Sequence, residues 1–254
     1  MGLFNLVGVI ALYIIVPLRH AVFNNNGQAT GIMIIVMSVI GVGLGFFFEG
    51  KSAWCSGLCP VHPVEKLYGG NVGVSVPNLN CSNCVNCVVP CPDSTPNIHP
   101  SVIKNNRLQN LSGNLLVGGL PGFIWGWFHV PDQATISTIN TFFGVYQMPM
   151  LGFTVSLLLY LLLSSLIHPE WERRLISIFA AAGVSCYYWY RIPSLFGFGN
   201  FGDDGLLLDL RHVLPGWSLT AITTATTLFF FYWLVIRKQN NNSWVIRPQY
   251  AGKQ

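Results

Sequence analysis

Long apolar runs separated by polar stretches are the main pattern of this chain. A helix that crosses a lipid bilayer needs roughly 20 residues of mostly apolar character. The pattern therefore predicts an all-α integral membrane protein with about six transmembrane helices. The candidate segments are Leu3–Leu18, Thr30–Phe48, Leu115–Val130, Phe142–Ile167, Leu175–Tyr190 and Trp217–Ile236.

The first and third segments differ from the others. The first is short enough for a signal peptide, but it lacks a basic start and a small-residue cleavage site before Arg19, so we interpret it as a retained helix. The third is interrupted by glycines and a proline, which membrane helices tolerate where neighbours cover the backbone. A re-entrant or tilted segment is the alternative. The predicted organisation is two helices (1–49), a loop (50–113), four helices (114–238) and a tail (239–254).

The composition supports a chain surrounded by lipid. Hydrophobic residues make up 52% of it and charged residues 9%, whereas a soluble domain averages about 25% charged residues. Aromatic residues are frequent at the ends of the apolar runs, as in the aromatic belts of membrane proteins. The net charge of +4 includes no dense basic run, so we expect no nucleic-acid partner.

The basic residues predict how the helices are oriented. With six spans, ten of the 13 Lys and Arg residues lie on the side of the N-terminus, the 50–113 loop and the C-terminus. The other side carries Arg19, Arg191 and Arg211. Because basic residues concentrate in cytoplasmic loops, the loop and both termini are expected in the cytoplasm. The expected location is a bacterial or archaeal cytoplasmic membrane.

Six of the seven cysteines lie in the predicted cytoplasmic loop. Cys81, Cys84, Cys87, Cys91 and Pro92 form the run C-x2-C-x2-C-x3-C-P, which is the bacterial ferredoxin pattern for a [4Fe-4S] cluster. Two-residue gaps allow a tight loop to bring three thiolates to one cluster. The fourth cysteine of such a run serves the other cluster in two-cluster ferredoxins.

A second, shorter motif supplies the remaining ligand candidates. Cys55-x3-Cys59-Pro60 matches the last half of the ferredoxin run. By ferredoxin logic, Cys59 completes the cluster held by the first three cysteines of the long run. Cys55 and Cys91 then remain for a second site, which His62 or His99 could supplement. A zinc site shares some of this spacing. Disulfides are disfavoured by the predicted cytoplasmic location.

At these cysteines the chain resembles the membrane-bound polyferredoxins of the NapH, NosR and CcoG type. That resemblance implies several membrane helices with ferredoxin motifs on the cytoplasmic side. It covers about residues 49–100 and the flanking helices. Members of this family usually carry two complete ferredoxin runs, whereas this chain has one.

We therefore expect an electron-transfer subunit that works between a quinone or cytoplasmic donor and a partner redox complex. An assembly factor, or a structural subunit with a redox-inactive cluster, is the alternative. No substrate-transforming site is evident, so enzymatic activity stays open. His20, His129 and His212 lie at predicted outer helix ends, where a haem or a quinone is a weaker possibility than ordinary interfacial hydrogen bonding.

Overall fold

The computed structural model describes residues 2–23, 26–47, 107–130, 139–198 and 206–237. Within these ranges the regular secondary structure is helical. One short 3₁₀ turn, Pro169–Trp171, precedes the fifth helix, and π turns extend the first and last helices over Arg19–Phe23 and Tyr232–Ile236. The six helices are α1 Gly2–Leu18, α2 Gly27–Phe47, α3 Arg107–Trp127, α4 Ile139–Leu166, α5 Glu172–Leu195 and α6 Gly216–Phe231.

Each helix overlaps one of the six predicted segments, which confirms the all-helical class over the described residues. Among the described residues, three segments are long and apolar enough to cross a membrane: Gly27–Phe47, Phe142–Leu166 and Gly216–Ile236. The apolar stretch of α1, Asn5–Leu18, is shorter. The helix α3 begins at Arg107, ahead of the predicted Leu115, and therefore includes the end of the predicted 50–113 loop.

The chain divides into two compact units. The first contains Met1–Leu116, Asp132–Val145 and Lys238–Gln254, and the second contains Val117–Pro131 and Tyr146–Arg237. The boundaries fall inside α3 and α4, so each of these helices contributes to both units.

In the first unit, polar groups organise the connection from α1 to α2. The Asn26 side chain accepts hydrogen bonds from the backbone N–H groups of Gln28 and Ala29, both at 3.1 Å. This satisfies donors that a helix start leaves without a partner. The Thr30 hydroxyl donates to Phe23 O at 2.7 Å and fixes α2 to the preceding π turn.

The helix α2 is apolar around its whole circumference. None of its residues is buried within the described structure, and large side chains such as Ile35, Val39 and Phe46 are exposed. A helix that is hydrophobic all round is surrounded by other helices or by lipid. This surface therefore suits contact with lipid or with another apolar helix.

In the second unit, α5 and α6 pack side by side and the chain between them folds back onto the end of α5. Tyr188 stacks on Phe230 with ring centroids 5.2 Å apart. The backbone N–H of Leu207 donates to Leu195 O at 2.9 Å. Gly197 adopts a φ of +85° at this turn, a conformation that favours glycine.

Candidate functional site

The predicted cluster ligands Cys55, Cys59, Cys81, Cys84, Cys87 and Cys91 lie outside the described residues, as do His62 and His99. The described structure gives the two helices that flank them. The helix α2 ends at Phe47 and α3 begins at Arg107. The ligand assignment and the [4Fe-4S] cluster therefore stay predictions.

Among the residues that the structure describes, no group of three or more His, Cys, Asp or Glu side chains could hold a metal ion. The seventh cysteine, Cys186, is a half-buried free thiol in α5. It lies apart in sequence from the six loop cysteines.

The best-defined structural feature of the second unit is the contact between α3 and α4. Three glycines of α3, Gly118, Gly122 and Gly126, follow one another at four-residue intervals and lie on one face of the helix. A Cβ added at Gly122 would lie 2.6 Å from the carbonyl carbon of Gly152. Glycine on both helices thus permits direct backbone contact, as in closely packed membrane helices.

A hydrogen bond joins the same two helices. The Ser156 hydroxyl donates to the Gly118 carbonyl oxygen at 2.6 Å. That oxygen belongs to a helix interrupted by Pro121, and serine side chains often cross between membrane helices in this way. The glycines interrupt the apolar pattern of the third predicted segment. In the structure they allow α3 to pack closely against α4.

Beside this contact lies an apolar groove of about 610 Å³ between α3, α4 and α5. The apolar runs of the sequence do not predict this groove. The closely spaced glycines of α3 are the sequence feature that indicates a close helix contact beside it. The side chains and backbone that line it carry no formal charge. The lining residues are Pro121, Gly122, Trp125, Leu151, Gly152, Val155, Ser156, Leu159, Leu163, Ile178, Phe179 and Ala182.

His129 lies just after the end of α3 and contacts Trp125, one of the residues that line the groove. Its ring lies 4.4 Å from the Trp125 ring, centroid to centroid, and 5.6 Å from that of Tyr190. Its Nδ1 is 2.7 Å from Trp125 O. A carbonyl oxygen can only accept, so Nδ1 carries the proton in this bond and Nε2 keeps its lone pair in the neutral ring. His129 is exposed.

The other two histidines differ from His129. The side chain of His20 lies outside the described residues. His212 is exposed in the segment between α5 and α6, close enough to favour the ionised form of Asp209 electrostatically. Of His129 and His212, whose side chains the structure describes, His129 is the one that contacts a residue of the groove lining.

An ion pair organises the segment before α6. Arg211 Nη2 donates to Asp209 Oδ2 at 2.6 Å, and its Nε donates to Oδ1 at 3.0 Å. This two-point hydrogen bonding favours the ionised carboxylate and holds the pKa of Asp209 at about 2. The pair lies at the surface, where such interactions contribute little to stability.

Arginines also pair with tryptophans at the opposite end of the second unit. Arg174 lies 4.8 Å from the Trp171 ring centroid, and Arg237 lies 4.0 Å from that of Trp233. Tryptophan next to a cation is typical of the membrane–water interface. The beginning of α5 and the end of the last π turn therefore have the composition of an interfacial belt.

Over the described residues the protein is all-helical, and three of its helices are long and apolar enough to cross a membrane. Comparison of the chain with protein-family models, with curated proteins and with solved structures finds no match.

Proposed function

We propose that this protein is a membrane electron-transfer subunit that carries at least one [4Fe-4S] cluster. It passes electrons between a quinone or a cytoplasmic donor and a partner redox complex. The observation that carries the proposal is the run from Cys81 to Pro92, with its two-, two- and three-residue gaps and its final proline. This combination is more specific than an isolated C-x2-C pair.

The chemistry of the donor set fits an iron–sulfur cluster. Four thiolates are the usual ligands of [4Fe-4S] clusters, and soft sulfur donors select iron–sulfur clusters, zinc and copper over hard cations. We assign Cys59, Cys81, Cys84 and Cys87 to the cluster. Cys55 and Cys91 are left for a second site. A bound cluster supplies one-electron transfer.

The cysteine loop is proposed to lie at the cytoplasmic surface of a bacterial or archaeal membrane. Its neighbours are α2, which is apolar enough to cross the bilayer, and α3. Ten of 13 basic residues fall on the same predicted side as the loop, which is the distribution of cytoplasmic segments. Six crossings, formed by α1 to α6, accommodate this arrangement.

A partner within the membrane is supported by the exposure of α2. None of its residues is buried by the described part of the chain, and its glycines Gly31, Gly43 and Gly45 have open space where a side chain would be. Small residues allow close approach of another membrane helix. This observation also suits the alternative, a structural or assembly subunit whose cluster does not transfer electrons.

Two cysteine variants test the cluster assignment. Cys59→Ala should lose the [4Fe-4S] electron paramagnetic resonance (EPR) signal or convert it to that of a three-iron cluster, because it removes a ligand of the main cluster. Cys91→Ala should keep that signal. Both are prepared side by side without oxygen, and iron is quantified in each. An essential Cys91 with a dispensable Cys59 would refute the ferredoxin-like assignment.

A redox titration separates the two functional candidates. An electron-transfer subunit should show a cluster that is reduced and reoxidised reversibly by dithionite and a mild oxidant. A cluster that stays in one oxidation state throughout would favour the structural or assembly role.

A further inference from the structure

We infer that the groove between α3, α4 and α5 binds one acyl chain of a bilayer phospholipid. The inference is independent of the cluster. It starts from the dimensions of the groove. Along α4 the lining runs from Leu151 to Leu163, a length of about 18 Å at 1.5 Å per residue. The volume of about 610 Å³ counts positions open to the centre of a water molecule, so over this length the groove is about 6 Å wide for atom centres and about 9 Å wide between its walls.

The groove exists because α3 and α4 meet through glycine. Backbone contact between Gly122 and Gly152 leaves no large side chain at this level to fill the space beside it. Leu151, Val155 and Leu159 line the groove on α4 and are at least half exposed. The groove is therefore open along its length and continuous with the packed α3–α4 interface.

Its dimensions and polarity exclude other occupants. A helix with its side chains is about 10–12 Å across and is too wide to enter. An extended peptide would bring backbone N–H and C=O groups that find no partners there, which is costly away from water. Water needs two to four polar partners, and the one hydroxyl in the lining, that of Ser156, already donates to Gly118 O.

An extended hydrocarbon chain satisfies all of these conditions. It is narrow, it is uncharged like the lining, and it needs no hydrogen bonds. The helix α4 is among the segments apolar enough to cross a membrane, so phospholipid acyl chains surround it at high concentration. Since the lining presents no charged side chain, the groove should recognise the hydrocarbon and be indifferent to the headgroup.

Photocrosslinking with a labelled lipid tests the inference. The full-length protein is reconstituted into phosphatidylcholine vesicles that contain a phosphatidylcholine with a diazirine in one acyl chain. After irradiation, labelled positions are mapped by peptide mass spectrometry. Labelling of Val155 and Leu159 should exceed that of Leu161, which is exposed on the opposite side of α4, by about fivefold, a ratio equivalent to about 1 kcal/mol. Equal labelling of both sides would overturn the inference.

A filled groove provides the second test. Ala182→Phe, on the α5 wall, should reduce labelling of Val155 to the level of Leu161, whereas Leu161→Phe, away from the groove, should leave it unchanged. Undiminished groove labelling in a folded Ala182→Phe protein would contradict the inference. If this variant does not fold, Ala182→Leu replaces it with the same expectation.

A headgroup comparison completes the experiment. A diazirine-labelled phosphatidylglycerol should label the groove as well as phosphatidylcholine does. Labelling by one headgroup alone would overturn hydrocarbon recognition. Absence of groove labelling by both lipids would overturn the inference.

Discussion

A single methyl group at Gly122 should disrupt the packing of α3 on α4. In the Gly122→Ala variant, the new Cβ would overlap the Gly152 carbonyl oxygen and would lie 2.6 Å from both the Gly152 carbonyl carbon and Ser156 Cβ. Favourable carbon–carbon contacts lie at about 3.5–4.0 Å. The helices would therefore have to separate by about 1 Å at this point.

The expected cost follows from what the methyl group meets. Overpacking in a well-packed interior costs about 1–3 kcal/mol, and occasionally more. Here the obstacle is backbone, which cannot rotate away as a flexible side chain can. We therefore expect a loss at the upper end, about 3 kcal/mol. The separation would also lengthen the hydrogen bond from Ser156 to Gly118 O.

Reversible unfolding by sodium dodecyl sulfate in mixed micelles measures the difference in free energy of unfolding. The matched control is Gly144→Ala in α4, where an added Cβ meets nothing within 4 Å. Alanine favours a helix over glycine by about 0.5–1 kcal/mol, so the control should be neutral or slightly stabilised. Similar free energies for the two variants would refute the account of glycine-mediated contact.

Three further predictions address the cysteine loop, the membrane topology and the ion pair between Asp209 and Arg211. Cys84→Ser should abolish the cluster, because a hydroxyl replaces thiolate poorly on iron, whereas Cys186→Ser should leave the cluster intact. Full iron content in both variants would show the ligand assignment to be wrong. A reporter fused after Lys238 should report cytoplasm and one inserted near Gly205 the outside; a cytoplasmic signal from the insertion would contradict six crossings. The Asp209 carboxyl should titrate at about pH 2 in the folded protein. Because this pKa lies below the unfolded value of about 3.9, the stabilisation is present above about pH 4 and is lost as the pH falls through about 2. The carboxyl ¹³C shift measures it, and titration at the ordinary value would contradict the ion pair.

The helices could be predicted from the sequence because lipid-facing helices leave a strong signal. Apolar runs as long as Phe142–Leu166 have few structural alternatives, and α4 appears where its run predicts it. The start of α3 was harder to predict, because residues such as Arg107 and Asn110 are polar and helix formation there does not follow from hydropathy. The length of the apolar run therefore underestimates the length of α3, which begins at Arg107.

The groove and the histidine environment depend on contacts between segments. Glycines such as Gly122 indicate that something approaches closely, but the sequence does not say which helix does so. Likewise, the sequence predicts that His129 lies at a helix end. Its contacts with Trp125 and Tyr190, however, depend on how the chain is packed. The cysteine motif differs from these features, because its spacing alone predicts an iron–sulfur cluster without any knowledge of helix packing.

Metal analysis of the anaerobically purified full-length protein is the most direct test of the proposed function. Iron, acid-labile sulfide and zinc are counted, and the visible and EPR spectra are recorded before and after dithionite. The account predicts about four irons and as many sulfides per chain for one [4Fe-4S] cluster, with visible absorbance that dithionite bleaches. Stoichiometric zinc without iron would contradict it.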